Sequence, residues 1–249
     1  ATPAAPAPDQ AARPLPPAEQ ILDQVIEAIG GREVLERIHS HVTMGTFEVP
    51  AAGITATMKV YAAAPCKIYT VAESDAIGKI ESGTDGEVFW ETTTMAGPRI
   101  KEGEEKAMAA REARFHSELE WRSLYKQVET VAITNVDGRD CYAILMTPPE
   151  GKPEHHFYDV DSHLLRKPET TIVSPMGEIR VETFTEDYRL QDGIQMPFRS
   201  RSVLMGIQEL IFTADSIRSN VEIPDSVFAP PAEIKALLAK PEQENKSSE

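Results

Sequence analysis

From His41 onward the sequence alternates apolar and polar residues with a period of two, segment after segment, and one long stretch breaks that rule. Ile54, Ala56, Met58 and Val60 fall on one face while Thr55, Thr57, Lys59 and Tyr61 fall on the other, which marks a strand with one wet side. Further strands are predicted at Cys66 to Ala72, Ile77 to Ser82 and Glu87 to Thr93. After the interruption they resume at Val128 to Val136, Cys141 to Thr147, His155 to Asp161, His163 to Pro168, Ile179 to Tyr188, Ile194 to Met205 and Ile207 to Ile217. Asp85-Gly86 and Asp137-Gly138 are pairs that accept the positive φ values of tight hairpins. Strands in sequence joined by short turns predict an antiparallel meander of about ten strands. Tyr142 to Met146 is apolar on both faces, so part of the sheet is expected to be covered twice.

The interruption, Glu102 to Lys126, is dense in Glu, Ala, Arg and Lys and free of Pro, and it reads as one long helix. At about 100° per residue, Met108, Phe115 and Leu119 cluster on one side and Ala110, Ala113, Trp121 and Leu124 on the other. Arg111, Arg114, Glu118 and Arg122 lie between them on a charged strip. Two apolar edges imply two surfaces to touch; a kink near His116-Ser117 is the alternative and would merge them. Upstream, Ile21, Leu22, Val25, Ile26 and Ile29 give an amphipathic helix that opens after Pro17 and ends at Gly30-Gly31. Val34, Leu35 and Ile38 form the stripe of a second, shorter one. Near the C-terminus Phe228 anchors a Pro-rich segment, followed by a short helix from Ala232.

The chain has 249 residues and a net charge of −15, with a pI near 4.9. Its field repels nucleic acid, so nucleic acid is not an expected partner. No apolar run approaches the roughly 20 residues that span a bilayer. Residues 1–17 hold six prolines and read as an extended tether. Residues 240–249 are polar and read as a frayed tail. Residues 18–239 are then expected to form one domain. The start at Ala1 fits an export signal already removed, although a trimmed chain would look the same.

Candidate chemistry is sparse. A strand sets His155 and His156 on opposite faces, and His39 and His41 lack a third ligand nearby, so no metal site is expected. There is no Gly-x-Ser-x-Gly elbow, no activated-Cys motif and no Gly-rich phosphate loop, so no catalytic residue and no cofactor are expected. A pair such as Glu186-Asp187 means little among 40 acidic residues. Cys66 and Cys141 are the only cysteines. They either pair, which loop entropy values at roughly 4 to 5 kcal/mol, or remain two thiols on separate strands.

The order of features resembles the LolA/LolB-like superfamily, and more closely its bacterial outer membrane lipoprotein-sorting branch. The resemblance rests on Gly30-Gly31 with the helix to His39, Gly45 to Gly53, Tyr61 to Pro65, and Gly83-Thr84-Asp85-Gly86 leading to Trp90. It continues through Asp137 to Tyr142, Phe157-Tyr158-Asp159, Glu186 to Arg189, Asp192-Gly193-Ile194 with Pro197, and Phe228-Ala229-Pro230, and so covers most of residues 18–235. It implies an α+β fold, a strongly curved antiparallel half-barrel whose concave face is covered by helices. It also implies a non-catalytic periplasmic protein that carries or senses a lipid, a lipoprotein acyl chain or a similar amphiphile. The expected lining and lid are Trp90, Met108, Phe115, Leu119, Trp121 and Phe157, of which Phe115, Leu119 and Met108 are replaced against the sheet as an acyl chain enters. The alternative is an assembly module that binds another envelope protein and has a fully packed cavity.

Overall fold

The computed structural model describes residues 15–174 and 177–239. The expected tether, except for its last three residues, and the expected tail lie outside them. A single open, antiparallel sheet of thirteen strands organises the chain. It begins in the middle: β1 (Ser40–Val49) pairs with β2 (Ile54–Ala63) on one side and with β13 (Gln208–Ser219) on the other. From β2 the chain meanders through β3 (Lys67–Ser74), β4 (Gly78–Thr84) and β5 (Phe89–Thr93) to the edge strand β6 (Gly97–Ile100). It re-enters at the opposite edge, β7 (Gln127–Val136), and returns through β8 (Arg139–Thr147), β9 (Glu154–Asp159), β10 (Leu165–Ser174), β11 (Gly177–Gln191) and β12 (Ile194–Leu204) to β13. The helical interruption therefore links the two free edges of one sheet.

Three strand boundaries depart from expectation, each for a local reason. The sheet has thirteen strands rather than about ten, in part because β6 contains Gly97 and Pro98, which read as a turn. On an edge, a proline without an N–H costs no ladder bond. β10 runs six residues past Pro168. Its pairing with β11 starts only at Glu169, so Pro168 faces no donor demand on that side. Tyr188 Oη donates instead to the Leu165 carbonyl at 2.7 Å. Asp137-Gly138 forms the two-residue hairpin expected of it, with φ of 48° and 83°. Asp85-Gly86 instead opens a four-residue connection in which Asp85 Oδ1 accepts from the amides of Glu87 and Val88, each at 3.0 Å.

The long helix is two helices. α3 (Gly103–Glu112) and α4 (Ser117–Leu124) are separated by residues 113–116. Phe115 N donates to the Pro65 carbonyl at 3.1 Å, so the amide is drawn to the β2–β3 connection instead of an intrahelical partner. The break merges the two apolar edges: Trp121 belongs to the main core, and Phe115 and Leu119 pack against that same cluster. At the start of α3, Arg99 bonds Glu91 at 2.6 Å and grips Glu105 with both terminal nitrogens, fastening the helix to β5 and β6.

The core lies on the concave face. There Ile21, Leu22, Val25, Ile26 and Ile29 of α1 (Ala18–Ile29) meet Ile144, Met146, Tyr158 and Ile194 of the sheet. Each such side chain contributes about 1.5 to 3 kcal/mol relative to exposure. Leu35 of α2 (Arg32–Glu36) and Ile38 extend the cluster. Gly30 ends α1 at φ 141°, and a Cβ there would stand 2.5 Å from the Gly193 carbonyl oxygen, so α1 closes directly on the β11–β12 turn. α5 (Ala232–Leu238) packs beside β6, and Phe228, 1% exposed, lies under the Lys67 ammonium of β3 at 6.0 Å. No helix among the described residues is long and apolar enough to cross a membrane.

Candidate ligand cavity

Helices and sheet do not close completely on one another. Between them lies a cavity of about 440 Å³, within the usual size range of small-molecule sites. Leu22, Val25 and Ile29 of α1 form one wall, Met146, Tyr158 and Leu165 of the sheet another, and residues 112–118 a third. Most of the lining is apolar. The alternation of β9 aims His156 and Tyr158 inward and turns Phe157 away. The break between α3 and α4 brings Phe115 over His41, with ring centroids 5.0 Å apart.

A buried polar chain borders this apolar space. Tyr125, just past α4, donates its hydroxyl to Glu154 of β9. His156 Nε2 stands 3.4 Å from the same carboxylate, and its Nδ1 lies 3.2 Å from Tyr158 Oη. Burial opposes ionisation of Glu154, but His156 and Tyr125 outweigh it and hold the carboxyl below its usual range. Glu112, the last residue of α3, behaves in the opposite sense. It lines the cavity and is exposed, and desolvation by the surrounding protein raises its pKa. Lys101 and Arg111 pull against the rise, and the charge of Glu154 adds to it. Burial lowers the pKa of His41 against the attraction of Asp192, with repulsion from His116 acting in the same direction as burial. The Trp121 indole N–H and His41 Nδ1, on two lining residues, are buried without hydrogen-bond partners.

The expected lining residues are dispersed. Phe115 and Trp121 line the cavity, and Leu119 packs against the adjoining core. Met108 faces a separate small recess beside Arg111 and Lys152. Trp90, 1% exposed, is packed beside Tyr69 of β3, with ring centroids 6.1 Å apart. Phe157 sits on the opposite face of the sheet with Cys141 and Ala143, under the Lys167 ammonium at 4.5 Å. Cys66 and Cys141 are free thiols: Cys141 belongs to that opposite face, whereas Cys66 donates to the Ala110 carbonyl at 3.8 Å. Among the described residues no group of His, Cys, Asp or Glu is disposed to hold a metal.

Sequence reasoning missed Glu112, Tyr125, His156 and Tyr158. Alternation along β9 puts His156 and Tyr158 on one face and Phe157 on the other, but nothing in the sequence says which face is inward. Glu112 carried no signal among 40 acidic residues.

No protein-family model matches the sequence, and no curated protein matches it. Solved structures do. A putative outer membrane lipoprotein-sorting protein domain from Vibrio parahaemolyticus matches with a TM-score of 0.60 at 12% identity, over 85% of this chain and 97% of that one. A DUF1329 family protein from Desulfovibrio piger matches with a TM-score of 0.58 at 14% identity, over 86% and 97% of the two chains. A LolA superfamily protein from Nitrosomonas europaea matches with a TM-score of 0.57 at 14% identity, over 87% and 99%. The thirteen-stranded open sheet with helices on its concave face is a LolA-like fold.

Proposed function

We propose that this protein is a non-catalytic periplasmic carrier or sensor that binds the hydrocarbon chain of a lipid, lipoprotein or similar amphiphile between the helices and the concave face of the sheet. The observation that carries this reading is the cavity of about 440 Å³, lined mainly by apolar side chains and bounded by the non-helical link at 113–116. Each methylene moved from water into such a space contributes about 0.8 kcal/mol. The fold shared with a lipoprotein-sorting domain supports the reading. Displacement of Phe115 and Trp121 from the cavity wall would admit the chain.

The test is titration with a fluorescent fatty acid. Saturable one-to-one binding is expected, weakened at least about tenfold by Phe115→Asp in a variant whose circular dichroism is unchanged. No saturable binding to the native protein would contradict the proposal and favour an assembly module.

A further inference from the structure

One donor in the cavity wall has nothing to donate to. Trp121 of α4 is 6% exposed and lines the cavity, and its indole N–H is buried without a hydrogen-bond partner. A buried indole N–H ordinarily finds an acceptor, because leaving it unpaired forfeits the bond that it makes in water. A hydroxyl can turn toward an acceptor, whereas an indole has one donor fixed in the plane of its ring. The ring is itself held in place: Arg122 stacks on it with Cζ 4.1 Å from the centroid and bonds Asp23 of α1 at 2.9 Å. The hydroxyls of Tyr125, Thr185 and Tyr188 in the lining already donate elsewhere, to Glu154 and to the Leu165 carbonyl. Trp121 is therefore the donor that a ligand oxygen finds unspent.

We infer that the amphiphile bears an uncharged carbonyl, that of an acyl ester or amide, which accepts the Trp121 indole N–H. This rests on the amphiphile reading above and adds the chemistry at the polar end of the hydrocarbon chain. A carbonyl oxygen costs little to bring out of water once it is paired. A carboxylate meets Glu118 in the lining and finds Arg114 already paired with Glu120, in a protein of net charge −15. A bare hydrocarbon leaves the donor unpaired. Trp121 is among the wall residues that yield as a chain enters, so its N–H and the carbonyl meet in that step.

The experiment compares methyl dodecanoate with pentadecane, a hydrocarbon of nearly equal length, each delivered from cyclodextrin to the full chain. The protein has two tryptophans, and Trp90, whose indole N–H is also buried and unpartnered, does not line the cavity and serves as the internal reference. In proton–nitrogen NMR spectra the Trp121 indole resonance is expected to move farther downfield with the ester than with the hydrocarbon, while that of Trp90 stays in place with both. In displacement of a bound fluorescent fatty acid, Trp121→Phe is expected to weaken the ester relative to the hydrocarbon at least about fivefold. The NMR comparison uses the native protein, so it stands even if the variant does not fold. Equal Trp121 shifts with the two ligands, an ester-to-hydrocarbon affinity ratio that Trp121→Phe leaves unchanged, or dodecanoate binding more tightly than its methyl ester would overturn the carbonyl assignment and leave the hydrocarbon cavity standing. If the fluorescent fatty acid itself does not bind, the amphiphile reading fails and this inference fails with it.

Discussion

The backbone amide of Phe115 donates to the carbonyl of Pro65 at 3.1 Å, across the gap between the helical layer and the β2–β3 connection. That bond fixes the point at which the helix breaks and holds the Phe115 side chain over His41. The amide lies in a non-helical link, where exchange is ordinarily fast. Hydrogen exchange measured by NMR is expected to show Phe115 protected by at least about tenfold over an unstructured amide. Exchange at the unprotected rate would mean that the link is not pinned to the sheet.

Glu112, on the cavity lining, and Glu154, beside it, have opposite pH dependences. Glu154 titrates below its ordinary value of 4.5, so its contribution to stability is present above that pH and lost as the pH falls through the lower folded value. Arg111, His156 and Tyr125 face it. Tyr125→Phe removes a bond to a buried charge and is expected to cost about 1.5 to 3 kcal/mol in urea unfolding at neutral pH. The loss is expected to shrink in acid, where Glu154 is protonated.

Glu112 titrates above its ordinary value of 4.5, so its favourable contribution is complete below that pH and is lost as the pH rises through the folded value. Lys101, Arg111 and Glu154 face it. Because Glu112 is exposed and solvent screens its charge, Glu112→Gln is expected to raise the Tm only slightly at neutral pH and to leave it nearly unchanged near pH 4. An equal effect at both values would contradict a carboxyl whose ionisation the fold opposes.

Two glycines separate crowding from conformational strain. A Cβ at Gly45 would stand 2.2 Å from the Thr213 carbonyl oxygen, at the irregularity between β1 and β13. At Gly53, φ is 63° and no atom lies within 4 Å. Gly45→Ala is expected to cost about 1 to 3 kcal/mol by forcing the strands apart, and Gly53→Ala only about 1 kcal/mol. Chemical denaturation of the two variants checks the order.

The thiols give a further check. Burial pushes Cys141 up to about 11, aided by the charge of Asp159, and burial likewise raises Cys66. Iodoacetamide is expected to add two alkyl groups in denaturant without any reductant, and to leave Cys141 unmodified in the native state. A mass showing no alkylation before reduction would establish a disulfide instead.

The sequence revealed the sheet more readily than the site. Period-two runs and turn pairs located most strands, because one wet and one dry face impose alternation, as in Ile54 to Tyr61. β6 and the far half of β10 were hidden by Pro98 and Pro168, whose missing N–H groups matter only where a neighbouring strand demands a donor. The apolar stripe of α1 was legible because its whole face is buried. The break between α3 and α4 was harder to read, since a carbonyl 50 residues earlier in the chain helps to set it. Glu112 and His156 become notable only when folding brings them to the same cavity.

The most direct measurement is photo-crosslinking with an alkyl diazirine amphiphile, followed by peptide mapping. Saturable labelling of residues 22–38 and 112–121 and of the facing sheet residues around Met146, Tyr158 and Leu165, displaced by excess unlabelled amphiphile, is the expected result. Labelling centred on the opposite face around Phe157 and Phe184, or labelling that never saturates, would contradict a ligand cavity beneath the broken helix.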